Sequence, residues 1–247
     1  MYDVAGKVAV ITGGTRGIGF AIGKAILARG GEVVLNGRNS TAEAEALAAA
    51  NPGHVAIDVR DVSDPGGATR LISEAGARHG RIDILVHAAG GPAPGRVTDI
   101  STETWMDAFA LHVHPVFHLF RAAHPYLKRK GGAVLLVSSV AGLRGCPGTP
   151  AYQTVKGALI PLAKALAFDH ASEGIRVNLV TPGIIRTRFH EGMTEQSKAH
   201  NLANRILLGR EGTSEEVAEA ALALISNEFI TGEYLTIDGG MSMRITG

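Results

Sequence analysis

A doubly wound α/β domain, with a parallel sheet covered by helices on both faces, is the fold that this sequence predicts. Three observations predict it. Short β-branched runs alternate with longer helical stretches along the whole chain. The strand candidates are apolar runs, as strands buried on both faces are. Strand follows helix with little between them, which suits right-handed crossovers between parallel neighbours.

The elements follow in order. Lys7–Thr12 (KVAVIT) is a first strand, and a helix follows its glycines from Gly17 to Arg29. Glu32–Asn36 is a second strand and the alanine-rich Ala42–Ala50 a second helix. His54–Asp58 is a third strand, followed by a helix over about Asp64–His79. Ile82–His87 is a fourth strand, and one long helical stretch covers about Thr102–Arg129. Ala133–Ser138 is a fifth strand, before a helix over about Ala151–Ser172. Ile175–Thr181, the helix Ser214–Ile225 and the strand Glu233–Ile237 complete seven strands. One Rossmann-type domain over residues 1–247 is expected, without linker or repeat. About Pro182–Gln196 has no clear element; irregular segments in compact domains often serve as lids, and we expect a substrate lid at 184–205.

Charge is balanced, with 24 Lys+Arg against 23 Asp+Glu, so nothing calls for nucleic acid or an anionic membrane as partner. Hydrophobic residues make up 45%, an ordinary globular share. The one cysteine, Cys146, cannot pair within the chain. The opening Met-Tyr-Asp-Val-Ala-Gly is unlike a secretory leader, and no apolar run approaches the ~20 residues of a membrane helix. The expectation is a cytoplasmic protein.

The first strand ends in Thr12-Gly13-Gly14-Thr15-Arg16-Gly17-Ile18-Gly19. A glycine-rich turn between strand and helix lets the backbone approach a pyrophosphate, where unpaired N–H groups and the helix dipole favour negative charge. The spacing, G-x-x-x-G-x-G, is not the commoner dinucleotide fingerprint. An NAD site carries an acid near the end of the second strand. Here that region reads Leu35-Asn36-Gly37-Arg38-Asn39, without one. Arg16 and Arg38 together suit a 2′-phosphate, so NADP is the expected cofactor and NAD the alternative.

Tyr152 and Lys156 are four apart on a predicted helix, so phenol and ammonium share one face. An ordinary tyrosine titrates near 10, and a nearby cation would favour its phenolate. Ser139 closes the fifth strand, where its hydroxyl can hold a substrate oxygen while Tyr152 transfers the proton.

Glycine loop, Ser139, Tyr152 and Lys156, in this order and spacing, resemble the short-chain dehydrogenase/reductase family over essentially the whole chain, including its 3-oxoacyl reductase-like and polyol dehydrogenase-like members. The resemblance implies an oxidoreductase that moves a hydride between a nicotinamide and a ketone or secondary alcohol. It implies cofactor contacts from Gly13, Thr15, Arg16, Gly17, Ile18 and Gly19, and from Asp58-Val59 as the adenine-contacting pair. Ala88, Ala89 and Gly90 would offer backbone, Lys156 would bind the ribose, and Ile185 and Thr187 would hold the carboxamide. It also implies a homotetramer or homodimer.

Two positions depart from the family pattern. Its Asn-Asn-Ala-Gly after the fourth strand is His87-Ala88-Ala89-Gly90, and the asparagine that completes its catalytic set is His112. In the family that residue's carbonyl holds a water leading to the lysine. Pro115 leaves Leu111's carbonyl without an N–H partner, so a kink is expected there, with the relay kept in altered geometry or His112 joining proton transfer itself. A cofactor-binding scaffold or sensor without efficient chemistry is the rival reading, and His112 its only support. An NAD-dependent secondary-alcohol dehydrogenase is the rival among enzymes. His114 and His118 are four apart but lack further ligands, so no metal is expected.

Overall fold

The computed structural model describes residues 3–190 and 192–244. Seven strands form one all-parallel sheet in the order β3-β2-β1-β4-β5-β6-β7. They are β1 Val8–Thr12, β2 Glu32–Gly37, β3 Val55–Val59, β4 Ile84–His87, β5 Gly132–Val137, β6 Ile175–Pro182 and β7 Tyr234–Ile237. The helices are α1 Gly17–Leu27, α2 Ala42–Ala50, α3 Pro65–His79, α4 Thr102–His112, α5 His114–Leu127, α6 Pro150–His170, α7 Glu195–Asn204 and α8 Ser214–Ser226.

Strand side chains alternate between two cores, which is why the strands read as continuous apolar runs. Ala9, Ile11, Val33 and Leu35 pack with Ile22 and Ile26 of α1 and Val217 and Leu222 of α8. Val10, Val34, Leu85 and Leu136 pack on the other face with Leu71 of α3, Leu119 of α5 and Leu159 of α6. The strand order reverses between β1 and β4, which are parallel neighbours in the sheet. A crevice opens at the carboxyl ends of strands at such a switch point.

Helix starts follow local chemistry. Thr41, Asp64, Ser101, Thr194 and Thr213 each accept a backbone N–H in the first turn of their helices. Thr213 and Glu216 close a reciprocal capping box.

The long helix expected over Thr102–Arg129 is two helices. α4 ends at His112 and α5 begins at His114, with Val113 between them. Val116 N–H reaches Val113's carbonyl at 3.1 Å, where an unbroken helix would turn it to His112. Pro115 supplies no N–H at all. The irregular segment also differs from expectation. Arg188–His190 is one short 3-10 turn, and α7 follows from Glu195. Its start is pinned, with Arg186 N–H on Gly212's carbonyl at 2.9 Å and Gly212 N–H on Ile184's at 3.0 Å.

Candidate active site

A cleft of about 1100 Å³ runs along the carboxyl ends of the strands. At one end lies the glycine loop. Gly13 has φ +63°, and a Cβ there would stand 2.7 Å from Ala89 N and 2.8 Å from Ala88 C, so β1 and β4 approach as only glycine allows. A Cβ on Gly19 would lie 2.3 Å from Gly13's carbonyl oxygen. The loop is tied to the end of β2: Gly14 N–H donates to Asn36's carbonyl at 2.7 Å, and buried Thr15 donates its hydroxyl to Asn39's at 3.1 Å. These bonds bring Arg16 and Arg38, both exposed, to the same part of the cleft wall.

The other end is built from β5 and α6. Ser138 donates to Lys156's carbonyl at 2.7 Å and fixes the helix against the strand. Gly142 completes that fit, since a Cβ there would meet Gly157 N at 2.7 Å. Ser139, next in the chain, accepts from Ala141 N–H at 3.1 Å. Lys156 is buried and donates to Val137's carbonyl at 2.8 Å, and its Nζ stands 5.8 Å from the centre of Tyr152's ring. Burial lowers Lys156 from 10.5 to about 7. Tyr152 itself is raised by burial, against the opposing hydrogen bond from Ser139. The direction is set by desolvation, with Ser139 rather than Lys156 as the group that opposes it.

Two histidines lie behind these groups. His112 meets Tyr152 edge-on, with ring centres 5.7 Å apart. Desolvation, then Lys156's charge, lowers His112 to about 2 and His87 to about 3, so both rings are neutral near pH 7.

Residues 13–242 match the pattern of the protein family described as Enoyl-(Acyl carrier protein) reductase. A 3-oxoacyl-(acyl-carrier-protein) reductase FabG of Chlamydia muridarum is 36% identical, with 96% of this chain and 97% of that protein covered. This chain belongs to the short-chain dehydrogenase/reductase family. Among solved structures, a Serratia marcescens short-chain dehydrogenase/reductase is 31% identical with TM-score 0.90, covering 98% of this chain and 100% of the other. The aldohexose dehydrogenase of Thermoplasma acidophilum is 27% identical with TM-score 0.87, covering 98% and 96%. The protein is an oxidoreductase of this family, and among the described residues no helix is long and apolar enough to cross a membrane.

Most of the short-chain dehydrogenase/reductase positions named from the sequence meet in this one cleft. Gly13, Thr15, Arg16, Gly17, Ile18, Gly19, Arg38, Ala88, Ala89, Gly90, His112, Ser139, Tyr152, Lys156, Ile185 and Thr187 all line it. Asp58 and Val59 do not. β3 continues to Val59, pairing Asp58 with Asn36 and Val59 with Gly37. Asp58's carboxylate accepts from Asn36 at 3.0 Å and faces Arg60 at 3.3 Å. The wall is made instead by Arg60, Asp61 and Val62. The segment holds Asp-Val twice, and the second copy, clear of the strand, is the one that reaches the cleft.

The sequence reading missed Arg60, whose Nη1 is buried without a partner, and Ser138. It also missed Phe189, whose ring lies 5.8 Å from Tyr152's. His112, His114 and His118 do not converge: the first faces the cleft, and the second is exposed beside Phe109. Among the described residues, side chains that could ligate a metal meet elsewhere. There His124 Nε2 and His170 Nδ1 each lie 2.7 Å from Glu173 Oε2.

Proposed function

We propose that the chain transfers a hydride between NADP(H) and a ketone or secondary alcohol, with Tyr152 as general acid/base. The observation that carries this reading is the convergence of Ser139, Tyr152 and Lys156 on one end of a cleft whose other end is the glycine loop. The residues fit the cofactor. Gly13 and Gly19 leave backbone where a Cβ would collide, and Arg16, Arg38 and Arg60 line the part of the cleft where a 2′-phosphate would bind. Ala88, Ala89, Gly90, Ile185 and Thr187 line the stretch towards the nicotinamide end. Asp61 and Val62 take the adenine side.

The bound nicotinamide would supply the hydride in reduction and accept it in oxidation. Ser139's hydroxyl holds the substrate oxygen, and Tyr152 gives it a proton. Burial keeps the phenol protonated near neutrality, which serves the reducing direction. Lys156 holds its position through Val137 and binds the ribose. Segment 184–205 supplies Phe189, Met193, Asn201 and Arg205 to the cleft and acts as the substrate lid. The relative named as a 3-oxoacyl reductase makes a 3-oxoacyl thioester the first substrate class to try. Exposed Phe117 and Phe168 on α5 and α6 fit a homodimer or tetramer.

The test is a fluorescence titration with NADPH and NADH, followed by NADPH consumption with acetoacetyl-CoA. Tighter NADPH binding with turnover is expected. Equal or tighter NADH binding would favour the NAD-dependent alcohol dehydrogenase, and failure to bind either would overturn the reading.

A further inference from the structure

A second group of chemistry-bearing side chains meets at the far end of α6. His170 is the last residue of that helix, and Glu173 ends the 3-10 turn Ala171–Glu173 that follows it. His124 comes from the last turn of α5. Helix rise puts His170 about 21 Å along α6 from Lys156. None of the three residues lines the cleft.

His124 Nε2 and His170 Nδ1 each stand 2.7 Å from one oxygen, Glu173 Oε2. The ligand atoms of the three residues all lie within 4.8 Å of one another. The two imidazole rings are 5.0 Å apart, and both lean on Phe120, at 6.1 Å from His124 and 4.8 Å from His170 between centres. Phe120 is buried, so packing against the core sets both ring orientations.

The charge of the site is negative. Hydrogen bonds from His124, then His170, hold the Glu173 carboxyl below the usual carboxylate range. Among the described residues Glu173 pairs with no lysine or arginine. Both α5 and α6 end here, and the carbonyl ends of helices favour positive charge. Two imidazole nitrogens and one carboxylate oxygen suit a divalent transition metal, whereas magnesium and calcium call for oxygen sets. Zinc bonds of about 2.0–2.1 Å in tetrahedral array separate the ligand atoms by about 3.3 Å, so the carboxylate has only to back away from each nitrogen by about 0.6 Å. The three side chains are partly exposed, which lets a water take the fourth position.

We propose that His124, His170 and Glu173 form a zinc-binding site that, with one water, ties the end of α5 to the end of α6. Its distance from the cleft makes it a structural site, and it stands independently of the hydride-transfer reading.

The experiment is titration of chelator-stripped, full-length protein with zinc chloride by calorimetry and with cobalt(II) by visible absorption. One zinc per chain with a micromolar or tighter Kd is expected, and cobalt should show the intense bands of four-coordinate ligation. Tm should rise by about 5 °C at zinc about 100 times Kd, and magnesium should leave it unmoved. His124→Gln, His170→Gln and Glu173→Gln should each weaken zinc binding by about 100-fold or more, since losing a residue that merely orients a ligand costs about 10–100-fold. The wild type supplies a test that needs no variant to fold. In ¹⁵N NMR of histidine-labelled protein, zinc should leave the ring protons on Nδ1 of His124 and Nε2 of His170, the nitrogens away from Glu173. No zinc bound by the wild type, six-coordinate cobalt, ring protons that stay on the nitrogens facing Glu173, or affinity unchanged in all three variants would overturn the proposal and leave a hydrogen-bonded triad only.

Discussion

Lys156 lies beneath Tyr152, its Nζ 5.8 Å from the centre of the phenol ring, and the two share one face of α6. The lysine is anchored to Val137 and is no hydrogen-bond partner of the phenol, so each can be tested separately. Tyr152→Phe removes one hydroxyl and leaves ring, helix and cofactor wall in place. Turnover should fall by about 10²–10⁴-fold, the usual contribution of a positioned acid, with NADPH affinity nearly unchanged. Steady-state rates and a fluorescence titration check both halves. Turnover within tenfold of wild type would mean that another group supplies the proton.

The buried cations and imidazoles give stability a definite pH dependence. Lys156 titrates at about 7 in the fold against 10.5 ordinarily. Between those values the unfolded chain holds the extra proton, so this contribution to stability rises with pH. Below about 7 the buried charge exerts its full cost. Lys156→Met should therefore raise Tm near neutrality, with the gain shrinking toward pH 10.5. His87 and His112 act on the acid side, at about 3 and about 2 against 6.5. The unfolded chain takes up both protons first, so stability falls as pH drops from 6.5 toward 3. His112→Asn should flatten that fall. Thermal unfolding across pH measures each, and parallel curves for variant and wild type would contradict the assignments.

Cofactor preference should respond to Arg38. It is exposed on the cleft wall beside Arg16 and Arg60, and the end of β2 carries no acid. Arg38→Asp removes a charge-assisted contact to a 2′-phosphate and supplies an acceptor for a ribose hydroxyl. A contact of that kind is worth ~1.5–3 kcal/mol, so the NADPH-to-NADH affinity ratio should drop by about 10–100-fold. An unchanged ratio would place the discrimination on Arg16 or Arg60.

What the sequence made legible was local. Strands buried on both faces read as apolar runs, and the glycine loop, Ser139, Tyr152 and Lys156 stand at fixed offsets from element ends. What it hid depended on tertiary placement. α7 is a polar helix with only Asn201 buried, so no apolar face announced it. The two Asp-Val pairs differ only in whether β3 has ended. Pro115 signalled a disturbed helix, but it took the turn of Val116 toward Val113 to show a full break. His87 and His112 are 25 positions apart in the sequence, and nothing local joins them.

The close approach of β1 and β4 can be graded with three glycines of positive φ. Gly80 caps α3 at φ +70° with nothing within 4 Å of a Cβ, so Gly80→Ala meets only the left-handed backbone penalty, ~1–2 kcal/mol. Gly17 has φ +54° and would touch Thr187 Cγ2 at 3.5 Å, ordinary contact, so its stability cost should be similar while its position in the loop weakens cofactor binding. Gly13→Ala carries the same penalty and also drives Cβ into the backbone of Ala88 and Ala89, at 2.8 and 2.7 Å. Neither segment can give way cheaply, since Ala88 N–H bonds Thr12's carbonyl at 3.1 Å and Ala89 N–H bonds its hydroxyl. Tm should therefore fall most for Gly13→Ala and about equally for the other two, with NADPH affinity lost in Gly13→Ala and Gly17→Ala and kept in Gly80→Ala. A Gly13→Ala protein as stable as Gly80→Ala would show that the two strand ends can separate, and that the glycine serves the cofactor rather than the sheet.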